Sequence, residues 1–248
     1  MPNDRLRDAL LRHGLTPEEL ARRLGVDPKT AERWITQART PYPKNRHEIA
    51  ALVRESERYL WPDALSADRA AEVAGSEVVQ LYPHRASVPH DLWIRLIGGA
   101  TEEIGILVYS ALFLPEQNPG LARTLAAKAN NGAKVRLLFG DPGSREVTRR
   151  STEEGIGGSA IAAKIRNVLA FYRPLADVAG VEARQHRTTL YNSIYRFDAD
   201  MLVNTHIYGY NAATAPVMHL RRLSGGTLFD TYTDSFEKVW TASKPVAW

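Results

Sequence analysis

Apolar side chains recur every three to four residues through the first sixty positions. Beyond about position 90 they gather instead into short continuous runs that alternate with amphipathic stretches. The first pattern predicts four helices: Arg5 to Arg12 with Leu6, Ala9 and Leu10 inward; Pro17 to Leu24 with Leu20, Ala21 and Leu24; Pro28 to Gln37 with Ala31, Trp34 and Ile35; and Asn45 to Leu60 with Ile49, Leu52 and Val53. Two helix starts are marked twice over. Thr16-Pro17-Glu18-Glu19 offers a hydroxyl cap, a first-turn proline and a glutamate three residues on, and Asp27-Pro28 repeats the cap and the proline.

Ser66 to Glu77 is alanine-rich and predicts a further helix, Val78 to Pro83 extended chain, and His84 to Pro89 a turn-rich connector. The second pattern then begins. Ile104 to Tyr109 and Lys134 to Phe139 predict buried strands on either side of a helix from Gly120 to Asn130, a βαβ unit whose strands are parallel. A loop at Gly155 to Gly158, a helix from Ala160 to Tyr172 and a strand at Val181 to Arg184 follow. Leu190 to Phe197 and Met201 to Tyr208 predict a hairpin turning at Asp198-Ala199-Asp200, and Phe229 to Trp240 a closing helix. The organisation expected is α + α/β: an all-α domain over residues 1–65, a helical and extended linker over 66–90, and an α/β domain over 91–248 with a mixed sheet flanked by helices.

Composition agrees with a folded chain. Of 248 residues, 44% are hydrophobic and 24% charged, near the usual globular balance. The lack of cysteine excludes disulfides, thiolate metal sites and a thiol nucleophile. No apolar run approaches the roughly 20 residues of a membrane helix, so a cytoplasmic protein without a membrane partner is expected. The net charge is +4, and residues 1–60 hold most of it, with 12 basic and nine acidic side chains. Any phosphate-facing surface is therefore expected in the first quarter of the chain.

The segment Leu15-Thr16-Pro17-Glu18-Glu19-Leu20-Ala21, Leu24-Gly25-Val26 and Trp34 resembles the Xre/Cro/C1 family of helix-turn-helix DNA-binding domains, over roughly residues 4 to 60. Double-stranded DNA is the partner this resemblance implies. The residues it points toward DNA are Lys29 and Arg33 first, then Thr30, Thr36, Gln37 and Arg39, with Lys44 and Arg46 against the backbone. Two half-sites read by a homodimer are expected of such a motif.

The later hairpin, Tyr191-x-Ser193-x4-Asp198-x5-Asn204-Thr205, resembles the phospholipase D superfamily, whose pattern is His-x-Lys-x4-Asp followed by Gly-Ser. Tyr191 stands where that family has its nucleophilic histidine and Ser193 where it has its lysine. A register starting at His186 keeps the histidine but puts Thr188 at the lysine position. Loss of a fixed cation at a developing phosphorane removes several kcal/mol of transition-state stabilisation. The expectation is thus a catalytically degenerate domain that dimerises and binds a small, phosphorylated or anionic effector; the alternative is a nuclease or phosphodiesterase directed to DNA.

Leu137 to Pro142, Glu153 to Gly157, Thr189 to Ser193, Leu202 to His206 and His219 to Arg222 resemble DNA-binding regulators that carry a phospholipase D-like domain of uncharacterised function, DUF5919. Ligands of α/β sheets bind at strand ends. The candidate ligand residues are accordingly Tyr109, Asp141, His186, Tyr191, Ser193, Asn204, His206, His219 and Arg221. No spacing of His, Asp and Glu suggests a metal site, and no cofactor is expected.

Overall fold

The computed structural model describes residues 2–62 and 75–248. By its internal contacts the chain forms two units, one of residues 1–77 with 222–230, the other of residues 78–221 with 231–248.

The first unit is helical: α1 (Asp4–Arg12), α2 (Pro17–Leu24), α3 (Pro28–Thr36), α4 (Pro43–Leu52) and the single turn α5 (Glu57–Leu60). Its core is the inward stripe of each helix, led by Leu6, Leu20, Trp34, Ile35, Ile49 and Leu60. Asn3 ties three elements together. Its side chain caps α1 by accepting from the Leu6 amide and donates to the Leu60 carbonyl, while its own amide bonds Ile35. Thr16 and Glu19 close a reciprocal capping box on α2, and Asp27 accepts from the Lys29 amide at the start of α3.

The single helix expected over 45–60 is broken in two. Arg54 takes a left-handed backbone (φ 51°) and Ser56 then caps α5 through the Tyr59 amide. The break puts Glu57 inside, where it meets the Arg46 guanidinium (3.2 Å), the Ser224 hydroxyl (2.8 Å) and the Gly225 amide (3.1 Å). Buried Glu77 accepts from the amides of Leu228 and Phe229. The helix expected at Ser66 to Glu77 lies outside the described residues except for its end, 75–77, which is helical.

The second unit is built on an eight-stranded mixed sheet in the order β1-β7-β6-β5-β2-β3-β4-β8. The strands are β1 (Val78–Tyr82), β2 (Glu103–Leu107), β3 (Lys134–Gly140), β4 (Val181–His186), β5 (Asn192–Phe197), β6 (Asp200–Thr205), β7 (Val217–Arg221) and β8 (Lys244–Pro245). β2, β3 and β4 are parallel and every other pairing is antiparallel. The βαβ unit is present as expected, with Ile104 opposite Val135 and Leu107 opposite Leu138. Residues 78–82, read from the sequence as extended chain within the linker, form an edge strand against β7.

Helices flank the sheet. Ala160–Tyr172 buries Ile161, Ile165, Val168 and Tyr172, the last stacked on Phe139 with centroids 5.7 Å apart. From the helix Leu228–Thr241, Phe236 lies so close to Gly105 that a Cβ there would meet its ring at 3.4 Å. Arg136 is buried between Glu103 and Glu237, its guanidinium 4.7 Å from the Phe236 ring centre. At the β5–β6 turn Asp198 accepts from the amides of Thr101, Glu102 and Glu103, which fixes the hairpin to the start of β2. The second hairpin strand ends at Thr205 rather than Tyr208, because Ile207 to Tyr210 turn away.

Candidate functional site

In the second unit, chain leaving the C-terminal end of β2 and the β5–β6 strands frames a cavity of about 420 Å³. Tyr109 follows β2, and its hydroxyl accepts from the Leu190 amide (3.0 Å). Its ring stacks on the His206 imidazole, centroids 5.5 Å apart. His206 Nδ1 is 3.1 Å from the Leu190 carbonyl and Nε2 is 3.0 Å from Ser193 Oγ. A carbonyl only accepts, so Nδ1 carries the proton and Nε2 accepts from the serine hydroxyl. Burial, aided by the charges of Arg150 and His186 and opposed by the Leu190 carbonyl, pushes the His206 pKa down to about 4. The ring is neutral at physiological pH.

Beyond Ser193 lies the Tyr195 hydroxyl. Burial raises its pKa, while Arg85 and the contact with Ser193 pull the other way. Arg85 stands in a short 3-10 turn, its amide held by Ala215 (2.9 Å) and its Nε by Ala212 (3.4 Å), with the guanidinium 3.7 Å above the Phe113 ring centre. Val108, Leu112, Ile156 and Ile161 supply apolar wall. Arg85 and Phe113 also line a neighbouring, more open cavity of about 580 Å³.

Of the nine residues expected to share a ligand site, Tyr109, Ser193 and His206 line this cavity. The others do not. His186 is buried with both nitrogens used, by the Val108 carbonyl and the Thr188 amide, and burial lowers its pKa against those bonds. Asp141 caps a turn through Gly143 and pairs with Arg187 at 2.8 Å; burial works to raise its pKa, but these bonds outweigh it and hold the carboxylate below its ordinary range. Tyr191 is 80% exposed. Asn204 is fully buried, its amide donating to the Ala215 and Pro216 carbonyls while Oδ1 has no partner. His219 and Arg221 both bond Asp200 Oδ1, at 2.7 and 3.0 Å, beside a separate cavity of about 520 Å³ near the hairpin turn. The register explains the split: His219 sits opposite Leu202 and Arg221 opposite Asp200, whereas His206 lies past the other end of β6. Sequence reading missed Arg85, Phe113 and Tyr195. Arg85 carried no signal, because it sits in a connector read as a linker.

In the first unit, Gly25 (φ 64°) turns the chain between α2 and α3. Ala31, Trp34 and Ile35 bury one side of α3, so Lys29, Glu32, Arg33, Thr36 and Gln37 face solvent, as does Arg39 just beyond. Thr30 is half-buried, and the Thr36 hydroxyl donates to the Glu32 carbonyl (2.9 Å). Lys44 is exposed, 4.0 Å from Glu48. Arg46 is not available to a ligand: it is buried, paired with Glu57 and bonded to the Pro41 carbonyl.

Residues 75–247 match the model of DUF5919, a domain of unknown function. The chain belongs to this family. No curated protein matches this DUF5919 chain. Among solved structures it is similar to the archaeal chromatin protein TrmBL2, whose structure is described as showing a novel mode of DNA binding, at 12% identity and a TM-score of 0.42 over 82% of this chain and 62% of that one. The DUF5919 chain thus spans about six tenths of TrmBL2. It is also similar to Nuc, a phospholipase D family member from Salmonella typhimurium, at 14% identity and a TM-score of 0.37 over 63% of this chain and 89% of that one. Among the described residues no helix is long and apolar enough to cross a membrane, and no group of three or more His, Asp or Glu could hold a metal ion.

Proposed function

We propose that this DUF5919 protein is a cytoplasmic transcriptional regulator of the helix-turn-helix type, in which α3 enters the major groove of double-stranded DNA. The observation that carries the reading is the division of α3 into a buried side and a solvent side bearing Lys29, Arg33, Thr36 and Gln37. Arginine and glutamine have the donor geometry for base edges, whereas Lys44, in the first turn of α4, suits a phosphate. A homodimer would place two such helices about 34 Å apart on an operator.

The second unit is, on this reading, a non-catalytic sensor that dimerises and holds a small effector. Ser193 brings no positive charge to a phosphate, and an imidazole with a pKa of about 4 is a weak proton acceptor at neutral pH. Effector control requires only that the ligand bind the DNA-competent and incompetent states with different affinity.

The test is enrichment of bound sequences from a pool of random duplexes, followed by binding to the selected site. Arg33→Ala should cost about 1–3 kcal/mol there and relax the preference at one position, while Lys44→Ala should weaken all duplexes alike. Failure to enrich any sequence, or a selected site indifferent to Arg33→Ala, would overturn the reading. Hydrolysis of bis(4-nitrophenyl) phosphate that disappears in His206→Ala would instead make the second unit an enzyme.

A further inference from the structure

We propose that the cavity beside Arg85 is a site for a small organic carboxylate with an apolar body, and that Arg85 is its anchor. This deepens the effector reading and rests on it. The fully buried arginines of this protein each have a carboxylate, Arg46 with Glu57, Arg136 with Glu103 and Glu237, and Arg150 with Glu154, whereas Arg85 is half-buried. Arg85 has none within ion-pair distance among the described residues. It has a carbonyl at Nε and an aromatic ring beneath. Partial burial lowers its pKa from the ordinary arginine value, against the more distant charge of Glu154. Its two terminal nitrogens are left with no protein acceptor among the described residues, the fork that a carboxylate fills with two parallel bonds.

The surroundings select among anions. Glu154 is neutralised by Arg150 at 2.8 Å, so the lining charges that remain are Arg85, Lys164 and Glu116, one positive charge in excess. A monoanion balances that excess, whereas a phosphate dianion would leave one negative charge in surplus. Ser193 and Tyr195 add hydroxyls near the charged end, and Val108, Leu112, Ile156 and Ile161 give the rest of the ligand an apolar wall. The volume, about 420 Å³, is that of a small-molecule site.

The experiment is calorimetric titration of the full-length protein with sodium benzoate, sodium 4-phenylbutyrate, benzamide and phenyl phosphate at neutral pH. At least one carboxylate should bind with one site per chain, with benzamide and phenyl phosphate each about tenfold or more weaker. Arg85→Met, which keeps a chain on Phe113 but removes the charge, should weaken the carboxylate about tenfold or more. Arg85→Lys should recover only part of the loss. Circular dichroism of both variants checks that they fold, and Lys29→Ala should bind the carboxylate unchanged. No carboxylate binding in the millimolar range, equal binding of benzamide, tighter binding of phenyl phosphate, or a folded Arg85→Met that binds normally would each overturn the site. Gel shifts with and without benzoate separate the two readings: ligand binding that leaves DNA affinity unaltered sustains the carboxylate site and overturns its role as an effector site.

Discussion

Acidification from about pH 7 to pH 4 should destabilise the second unit through His206. In the unfolded chain the imidazole takes up a proton near 6.5, while in the folded unit it stays neutral down to about 4. The folded pKa is depressed, so the stability it contributes is complete above 6.5, falls as pH drops through the window, and is gone below 4. A fall from 6.5 to about 4, at about 1.36 kcal/mol per pH unit, corresponds to about 3 kcal/mol as an upper figure. Solvent reaching the cavity side of the ring reduces it. His186, also depressed by burial, adds in the same direction. For Asp198, Asp200 and Glu237 burial works to raise the pKa, but their hydrogen bonds and ion pairs outweigh it and hold them below the ordinary range. Their losses therefore come mainly below the histidine window. Hydrogen exchange of the β5 and β6 amides, read at several pH values, assigns the loss to this unit. His206→Gln should be less stable at neutral pH, yet lose about 2–3 kcal/mol less than the wild type between pH 7 and 4. Equal pH dependence in the two proteins, or an imidazole that titrates near 6.5 by NMR, would refute the argument.

Three further substitutions probe the scaffold. Glu57→Ala leaves the buried Arg46 guanidinium without its carboxylate and the Gly225 amide without its acceptor, and should cost the first unit about 3–5 kcal/mol in urea unfolding; Glu57→Gln should recover part of it, and a cost below about 1 kcal/mol would deny the pair its role. Gly140→Ala forces a methyl to 2.8 Å from Val147 and 3.2 Å from Tyr109, so thermal melts should show a loss of about 1–3 kcal/mol, and no change would mean that the wall yields freely. Asp198→Ala removes the acceptor of three amides at a left-handed position (φ 52°), and should cost about 2 kcal/mol, with Asp198→Gly milder because it relieves the backbone alone. The reverse order would show that the left-handed backbone at 198 carries no strain for glycine to relieve.

The parts of the fold legible in sequence are those fixed by neighbouring residues. Thr16 with Glu19, Asp27 with Pro28, and Gly25 set the ends of α2 and α3 through bonds within four residues, and the helix Ala160–Tyr172 falls where its apolar stripe puts it. The break at Arg54 was not legible, since neither glycine nor asparagine marks its left-handed turn. The site was harder still. His206 and His219 look alike in sequence, each following a run of strand residues, and only the β6–β7 register sends one to the cavity and the other to Asp200 near the opposite end. Arg85 reaches the cavity from a short turn held by Ala215 and Ala212, a contact more than 120 residues away along the chain that no local pattern encodes.

Regulator function depends most on the exposed side of α3 meeting base edges. The decisive measurement is the affinity of wild type, Arg33→Ala and Lys44→Ala for a selected duplex and for its scrambled counterpart, across a range of salt. Arg33→Ala should bring the two duplexes toward equal affinity, and Lys44→Ala should preserve their ratio while lowering the salt slope by about one. A wild-type protein that binds both duplexes equally, or an Arg33→Ala variant that still tells them apart as well as wild type, would contradict it.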